Sequence, residues 1–554
     1  MWRGEILYRY FSPLQEKHCS SKISLLINEL TSPPIARFFC CQKRHSHYIA
    51  RMLSTPTCVV ILTALCLSLT AQEKPAAEKP KEEPKKADAA SAQKDVTIEG
   101  SVTIDGKKIP YKATTGKLVI NKEDGTPRAS IFHVSYIRAD QDSAKRPVTF
   151  AFNGGPGSSA VWLHLGALGP RILQMPGDGT QPVMPPAQFG NNEFSILDAT
   201  DLVFIDPVST GYSRAEKDAK PGDFHGVEED VESVADFIRS WVTQNKRWAS
   251  PKFLLGESYG GVRAAGLSNF LQSRYAMSLN GVVMLSTLMD FQTLSPASGN
   301  DLAYQVYLPT FATVAHYHGV LQGDRDELAK KARAFAFGPY ATALLQGNQL
   351  PAAEKKSIAT QLAGFTGLSA SLIEELNLRI DPTRFRGELL KSKGKVLGRF
   401  DARVAWDDTD TSEAHADYDP SYSLAYGAFG TSMLHYLTTE LNWQEDQPYE
   451  ILTGKVHPWR WNATNGYVNL SNKLASAMRD NPKLRVLVQC GYTDLATPAD
   501  GMLYSTRQML NLPATLQKNI SFTWYEGGHM FYLNPPDLKK MRTDLVDFIN
   551  ATPK

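Results

Sequence analysis

The run Gly256-Glu257-Ser258-Tyr259-Gly260 sets a serine between two glycines, straight after the apolar Phe253-Leu254-Leu255 and just ahead of Val262 to Leu267, which can continue as a helix. A chain that passes from strand to helix so quickly needs glycines beside the turn, because Cβ atoms there would collide. The Ser258 hydroxyl is left projecting from the turn, as in a nucleophile elbow. Such a serine does chemistry only when it has a base to take its proton, an acid to orient that base, and backbone donors for the oxyanion.

Candidates for all three parts occur elsewhere in the chain. Phe152-Asn153-Gly154-Gly155-Pro156-Gly157-Ser158-Ser159-Ala160 follows the strand-like VTFAF, and its glycines let backbone N–H groups face an anion. No Gly-Lys-Ser/Thr follows, so it is not a phosphate loop. Asp494, in VLVQCGYTDLATP, and His529, in WYEGGHMFYLNPP, each lie just past a late strand. The chain order Ser, Asp, His matches the α/β-hydrolase arrangement. His316 and His318 in AHYHG read as core or surface residues, since no Cys, Asp or Glu cluster accompanies them. Asp407, Asp408 and Asp410 read as a solvated loop rather than a calcium site. No metal and no cofactor is expected.

The elements that must hold these residues are legible as patterns. From Val96 to Phe152 the apolar residues alternate, and Asp124-Gly125 between two such runs predicts a hairpin. Short buried strands follow at Leu202 to Ile205, Phe253 to Leu255, Val282 to Leu285 and Leu484 to Val488, with helical stretches such as Asp230 to Trp241 between most of them. Strands alternating with helices imply a largely parallel sheet covered on both faces, hence an α/β fold. From about 291 to 480 the strand rhythm stops. Helical spacing over Asp324 to Leu345 and Ala352 to Leu378, and a polar stretch GRFDARVAWDDTDTSEAHADYDPS, predict a largely helical cap inserted above the carboxyl ends of the strands.

The 554 residues carry 59 Lys and Arg against 57 Asp and Glu, so no net field argues for a nucleic-acid partner. Residues 1–71 read as a leader, with Met52 as the expected true start. CVVILTALCLSLTA, residues 58–71, is too short for a comfortable membrane span and ends in Leu69-Thr70-Ala71, a signal-peptidase pattern. Residues 72–95, rich in Lys, Glu, Pro and Ala, read as a disordered linker. Residues 96–554 read as the folded, catalytic domain. Five of the six cysteines precede that domain, which keeps only Cys490 and can hold no internal disulfide. An exported protein of the bacterial periplasm or exterior is expected, with no membrane span left after signal cleavage.

NGGPGSSA, GESYGG, CGYTDLATP and GGHM together resemble the serine carboxypeptidase family, in the same order, over most of Lys145 to Asn550. The resemblance implies an α/β-hydrolase fold, a peptide substrate and removal of C-terminal residues. It makes Ser258 the nucleophile, His529 the general base and then acid, and Asp494 the group that orients the imidazole. Gly155 and Tyr259 would supply the oxyanion hole, and Asn153, Gly154 and Glu257 the pocket for the substrate's terminal carboxylate. A neutral Glu257 can donate to that carboxylate, whereas an ionised one repels it. Two departures stand out. Ser158 replaces a cysteine common in the family, and the segment Ser158 to Pro170 lacks the second acid that often shares a proton with the elbow glutamate. An esterase or acyltransferase of the same fold, or a non-catalytic envelope binding protein, are the alternative readings.

Overall fold

The computed structural model describes residues 94–413 and 418–553. The expected leader, export signal and all but the end of the linker lie outside the described residues. Three long antiparallel strands open the fold: β1 (Val96–Ile104), β2 (Lys107–Asn121) and β3 (Pro127–Arg138). The β1–β2 turn uses Asp105 and Gly106 at positive φ. The β2–β3 hairpin closes at Asp124-Gly125, where the Thr126 N–H donates to Asp124 Oδ1.

Six shorter strands follow: β4 (Val148–Phe152), β5 (Asp201–Ile205), β6 (Lys252–Ser258), β7 (Gly281–Thr287), β8 (Arg485–Gly491) and β9 (Ile520–Tyr525). The main sheet runs β1-β2-β3-β5-β4-β6-β7-β8-β9, with a two-residue strand at Arg214–Ala215 also on β3. From β5 to β9 all pairings are parallel. The carboxyl ends of these strands therefore share one edge of the sheet. Parallel strands with helical crossovers, in this order, form the α/β-hydrolase fold.

Alternate residues of the strands feed two cores. Phe253 and Leu255 join Val283, Leu285 and the helix Pro535–Ala551 on one face, whereas Leu254 joins Val282, Met284 and Val488 on the other. The second face is covered by α1 (Val227–Gln244) and α2 (Tyr259–Tyr275). Residues buried on both sides explain why these strands read as unbroken apolar runs.

Among the described residues, no strand of the main sheet lies between Thr287 and Arg485. This segment holds several helices, among them α3 (Leu302–Tyr317) and α4 (Pro420–Thr439), and a small hairpin of Lys395–Leu397 with Ala405–Asp407. It has its own apolar core, which reaches Leu495 beside Asp494. No helix among the described residues is long and apolar enough to cross a membrane.

Candidate active site

Ser258 ends β6 and caps α2 with φ 61° and ψ −130°, a left-handed conformation that costs a non-glycine residue on the order of 1–3 kcal/mol. The glycines around it are steric necessities. A Cβ on Gly256 would stand 2.2 Å from the Gly260 carbonyl oxygen, and one on Gly261 would stand 1.8 Å from Thr287 Oγ1. The Thr287 hydroxyl in turn donates to the Ser258 carbonyl over 2.6 Å, tying the elbow to β7.

The glycine loop after β4 lies directly on the N-terminus of α2. A Cβ on Gly154 would fall 2.3 Å from the Tyr259 nitrogen, so only glycine allows this approach. Gly155 and Gly157 take positive φ, 100° and 103°. The loop is held from behind by Arg263, a buried side chain of α2 that donates to the Asn153 carbonyl and to Asp230 of α1. A helix N-terminus favours negative charge through its unpaired N–H groups. The Tyr259 amide thus stands in the first turn of α2, with the glycine loop packed against it.

At the ends of β8 and β9, His529 Nδ1 and Asp494 Oδ2 are 2.9 Å apart, and both side chains are buried. Asp494 also accepts the Ala496 and Thr497 N–H groups on Oδ1. The Thr497 hydroxyl lies 2.7 Å from Asp494 Oδ2 and 2.8 Å from the Ser286 carbonyl, with one proton to give to either. Phe400 stacks on the imidazole at 5.2 Å. These contacts fix the ring so that Nδ1–H faces the aspartate and Nε2 is left to act as a base. Among the described residues no hydrogen bond joins Ser258 Oγ to His529; such catalytic bonds commonly tighten only around substrate.

Glu257 is buried next to Ser258. Burial pushes its carboxyl up to about 7, while His529, the Tyr532 hydroxyl and the Asn153 amide oppose the shift and Asp494 adds to it. Tyr532 Oη donates to Glu257 Oε2 over 2.9 Å. Asn153 is also buried, and its Oδ1 accepts the Leu163 N–H. Its amide group is thereby turned toward Glu257.

The other candidates lie apart from this cluster. His316 and His318 bond the carbonyls of Gly323 and Ala402, and Asp407 pairs with Lys395. No group of three His, Cys, Asp or Glu able to hold a metal occurs among the described residues. Sequence reasoning missed Thr497, Tyr532, Arg263 and Phe400. Thr497 alone had a local signal, three residues after an aspartate in a turn.

The serine carboxypeptidase family model matches residues 106–530. The chain belongs to the serine carboxypeptidase family. It is similar to the lysosomal protective protein of Mus musculus, 27% identical over 191 residues, covering 34% of this chain and 35% of the relative. Serine carboxypeptidase-like 20 of Arabidopsis thaliana is 29% identical over 164 residues, covering 29% and 31%. The chain thus spans about a third of the length of the curated relatives it matches. The solved proline iminopeptidase of Mycobacterium smegmatis aligns over 78% of this chain and 98% of its own at 13% identity and a TM-score of 0.34. The fold assignment rests on the sheet order instead.

Proposed function

We propose that this protein is a serine-type carboxypeptidase that releases C-terminal residues from peptides through an acyl-enzyme. Ser258 Oγ attacks the last peptide carbonyl while His529 takes its proton, Asp494 steadying the imidazolium that forms. The Gly155 and Tyr259 N–H groups receive the developing oxyanion. His529 then gives the proton to the leaving amine, and the same steps run in reverse with water to free the peptide. Neutral Glu257, with Asn153 and Gly154, takes the substrate's terminal carboxylate. The segment 291–480 acts as the cap over this site.

The observation that carries the reading is the conjunction of a strained Ser258 elbow with the His529–Asp494 pair at one sheet edge, and a buried acid beside them. The proposed setting is export to a bacterial periplasm or exterior, supported by residues 58–71.

The test offers one peptide as free acid, C-terminal amide and C-terminal ester, with products read by mass spectrometry. Release of single C-terminal residues, preferring the free acid below pH 7, is expected. Ester turnover without peptide release would favour the esterase or acyltransferase reading. Failure of a fluorophosphonate to label Ser258 would favour a binding protein.

A further inference from the structure

Glu257 shares its strand face with Phe253 and Leu255, in the core that also contains Tyr532. The groups that face its carboxyl come from three sides. Asn153 approaches from the end of β4, Asp494 from the loop after β8, and His529 and Tyr532 from the loop after β9. The turn His164–Leu168 adds no charge, since burial holds the His164 pKa down at about 3; its ring is bonded to Tyr136 at 2.7 Å and stacked on Phe204. That turn contributes space instead. Gly166 lies against the Tyr532 ring so closely that a Cβ there would be 2.7 Å from Cε2. The acid-free stretch Ser158 to Pro170 thus meets the Tyr532 ring at a glycine, and it is the hydroxyl of that ring, from another loop, that reaches the buried glutamate.

We propose that Tyr532 is the positioning residue that orients Glu257 and sets the pH range over which the site accepts a free C-terminal carboxylate. The proposal rests on the carboxypeptidase reading above. A carboxylic acid that donates to a substrate must carry its proton on the oxygen facing that substrate. Tyr532 Oη–H occupies Oε2 and so assigns the proton to Oε1. The phenol cannot take over as a proton carrier, because burial and the Glu257 charge hold its own ionisation far above the ordinary tyrosine range. Its hydrogen bond also favours the ionised glutamate, against the burial that disfavours it. Removing the hydroxyl therefore has two effects of different kind. The neutral acid loses its fixed orientation, and it stays neutral to higher pH.

The test uses the intact enzyme and its Tyr532→Phe variant, which keeps the buried ring. For one peptide as free acid and as amide, kcat and KM are followed from pH 4 to 9. Glu257 ionisation is followed independently by the infrared carboxyl band, with Glu257→Gln as the blank. Wild-type preference for the free acid should fall as pH rises through about 7. In Tyr532→Phe both this fall and the infrared midpoint should move up by about one unit, the value of one hydrogen bond to an ionised group. Below pH 6 the variant's KM for the free acid should rise severalfold while amide turnover holds. Gly166→Ala, which displaces the ring but keeps the hydroxyl, should shift both in the same direction. An unmoved infrared midpoint in both folded variants overturns the proposal. A moved midpoint in an enzyme that never distinguishes acid from amide supports Tyr532 as the control on Glu257 and overturns the carboxypeptidase reading.

Discussion

Two buried acids flank β4 at the carboxyl edge of the sheet, Glu257 at the end of β6 and Asp206 just past β5, and burial pushes both up to about 7. Each has a tyrosine beside it. Tyr532 makes a full hydrogen bond to Glu257, whereas the Tyr449 hydroxyl lies near Asp206 without a well-aligned bond to Oδ2. Asp206 accepts the Ala160 N–H over 2.8 Å and leaves no room at Gly211, where a Cβ would be 1.7 Å from Oδ2. It thus braces the glycine loop after β4 through Ala160, while Glu257 feels the charges of His529 and Asp494. A raised pKa alone does not separate these roles; the neighbours do.

The largest effects belong to the Glu257 side. Ser258→Ala should lower kcat by about 10⁶-fold, as when a triad acts as a unit, with the fold intact. Substantial residual turnover in a burst assay would remove Ser258 from the nucleophile's place. Gly154→Ala forces a Cβ onto the Tyr259 nitrogen and should cost roughly 10²–10³ in kcat for acid and ester substrates alike. Rates near wild type would show that the loop does not need its close seat on α2.

Stability against pH sharpens the comparison further. Each acid ionises at higher pH folded than unfolded, so its contribution is fully present below about pH 4 and is lost as pH rises through about 7. The loss amounts to about 3 kcal/mol for Glu257 and about 4 for Asp206 at most. Glu257→Gln and Asp206→Asn should each reduce the drop in urea-unfolding stability between pH 5 and pH 8. Only Glu257→Gln should also abolish the pH dependence of free-acid preference. If Asp206→Asn abolishes it equally, the distinction between the two acids fails. The smallest effect is on the thiol side. Cys490 is buried and free, its thiol pushed up in pKa by burial, so a reductant should leave the melting temperature unchanged. A large drop would reveal a disulfide.

The residues that were legible are those whose neighbours in sequence force their geometry. Ser258 sits among glycines that no other residue can replace, and Asp494 and His529 each follow a run of strand character. Period-two alternation likewise exposed β1 to β3 and the hairpin at Asp124-Gly125. Tyr532 and Phe400 were not legible, because each acts through a contact formed more than a hundred residues away along the chain. Tyr532 looks like one more aromatic in MFYL until Gly166 and Glu257 are brought against it. Phe400 lies in a polar stretch that reads only as loop. Asp206 follows an apolar strand as Asp494 does, and nothing local tells the brace from the acid that pairs with His529.

That polar stretch has a consequence for anyone who would exchange the inserted segment to graft a new specificity. Residues 399–402 are stitched to the loops that carry Asp494 and His529: Leu495 N–H donates to the Arg399 carbonyl, His529 N–H to that of Phe400, and Ala402 N–H to that of Thr493. Gly528 is pressed so close that a Cβ would meet the Phe400 oxygen at 2.2 Å. The boundary between interchangeable part and fixed chassis therefore does not follow the boundary between insertion and sheet. A chimaera that keeps Arg399 to Ala402 retains the seat of the His529 imidazole, and one that replaces them removes the contacts that hold it.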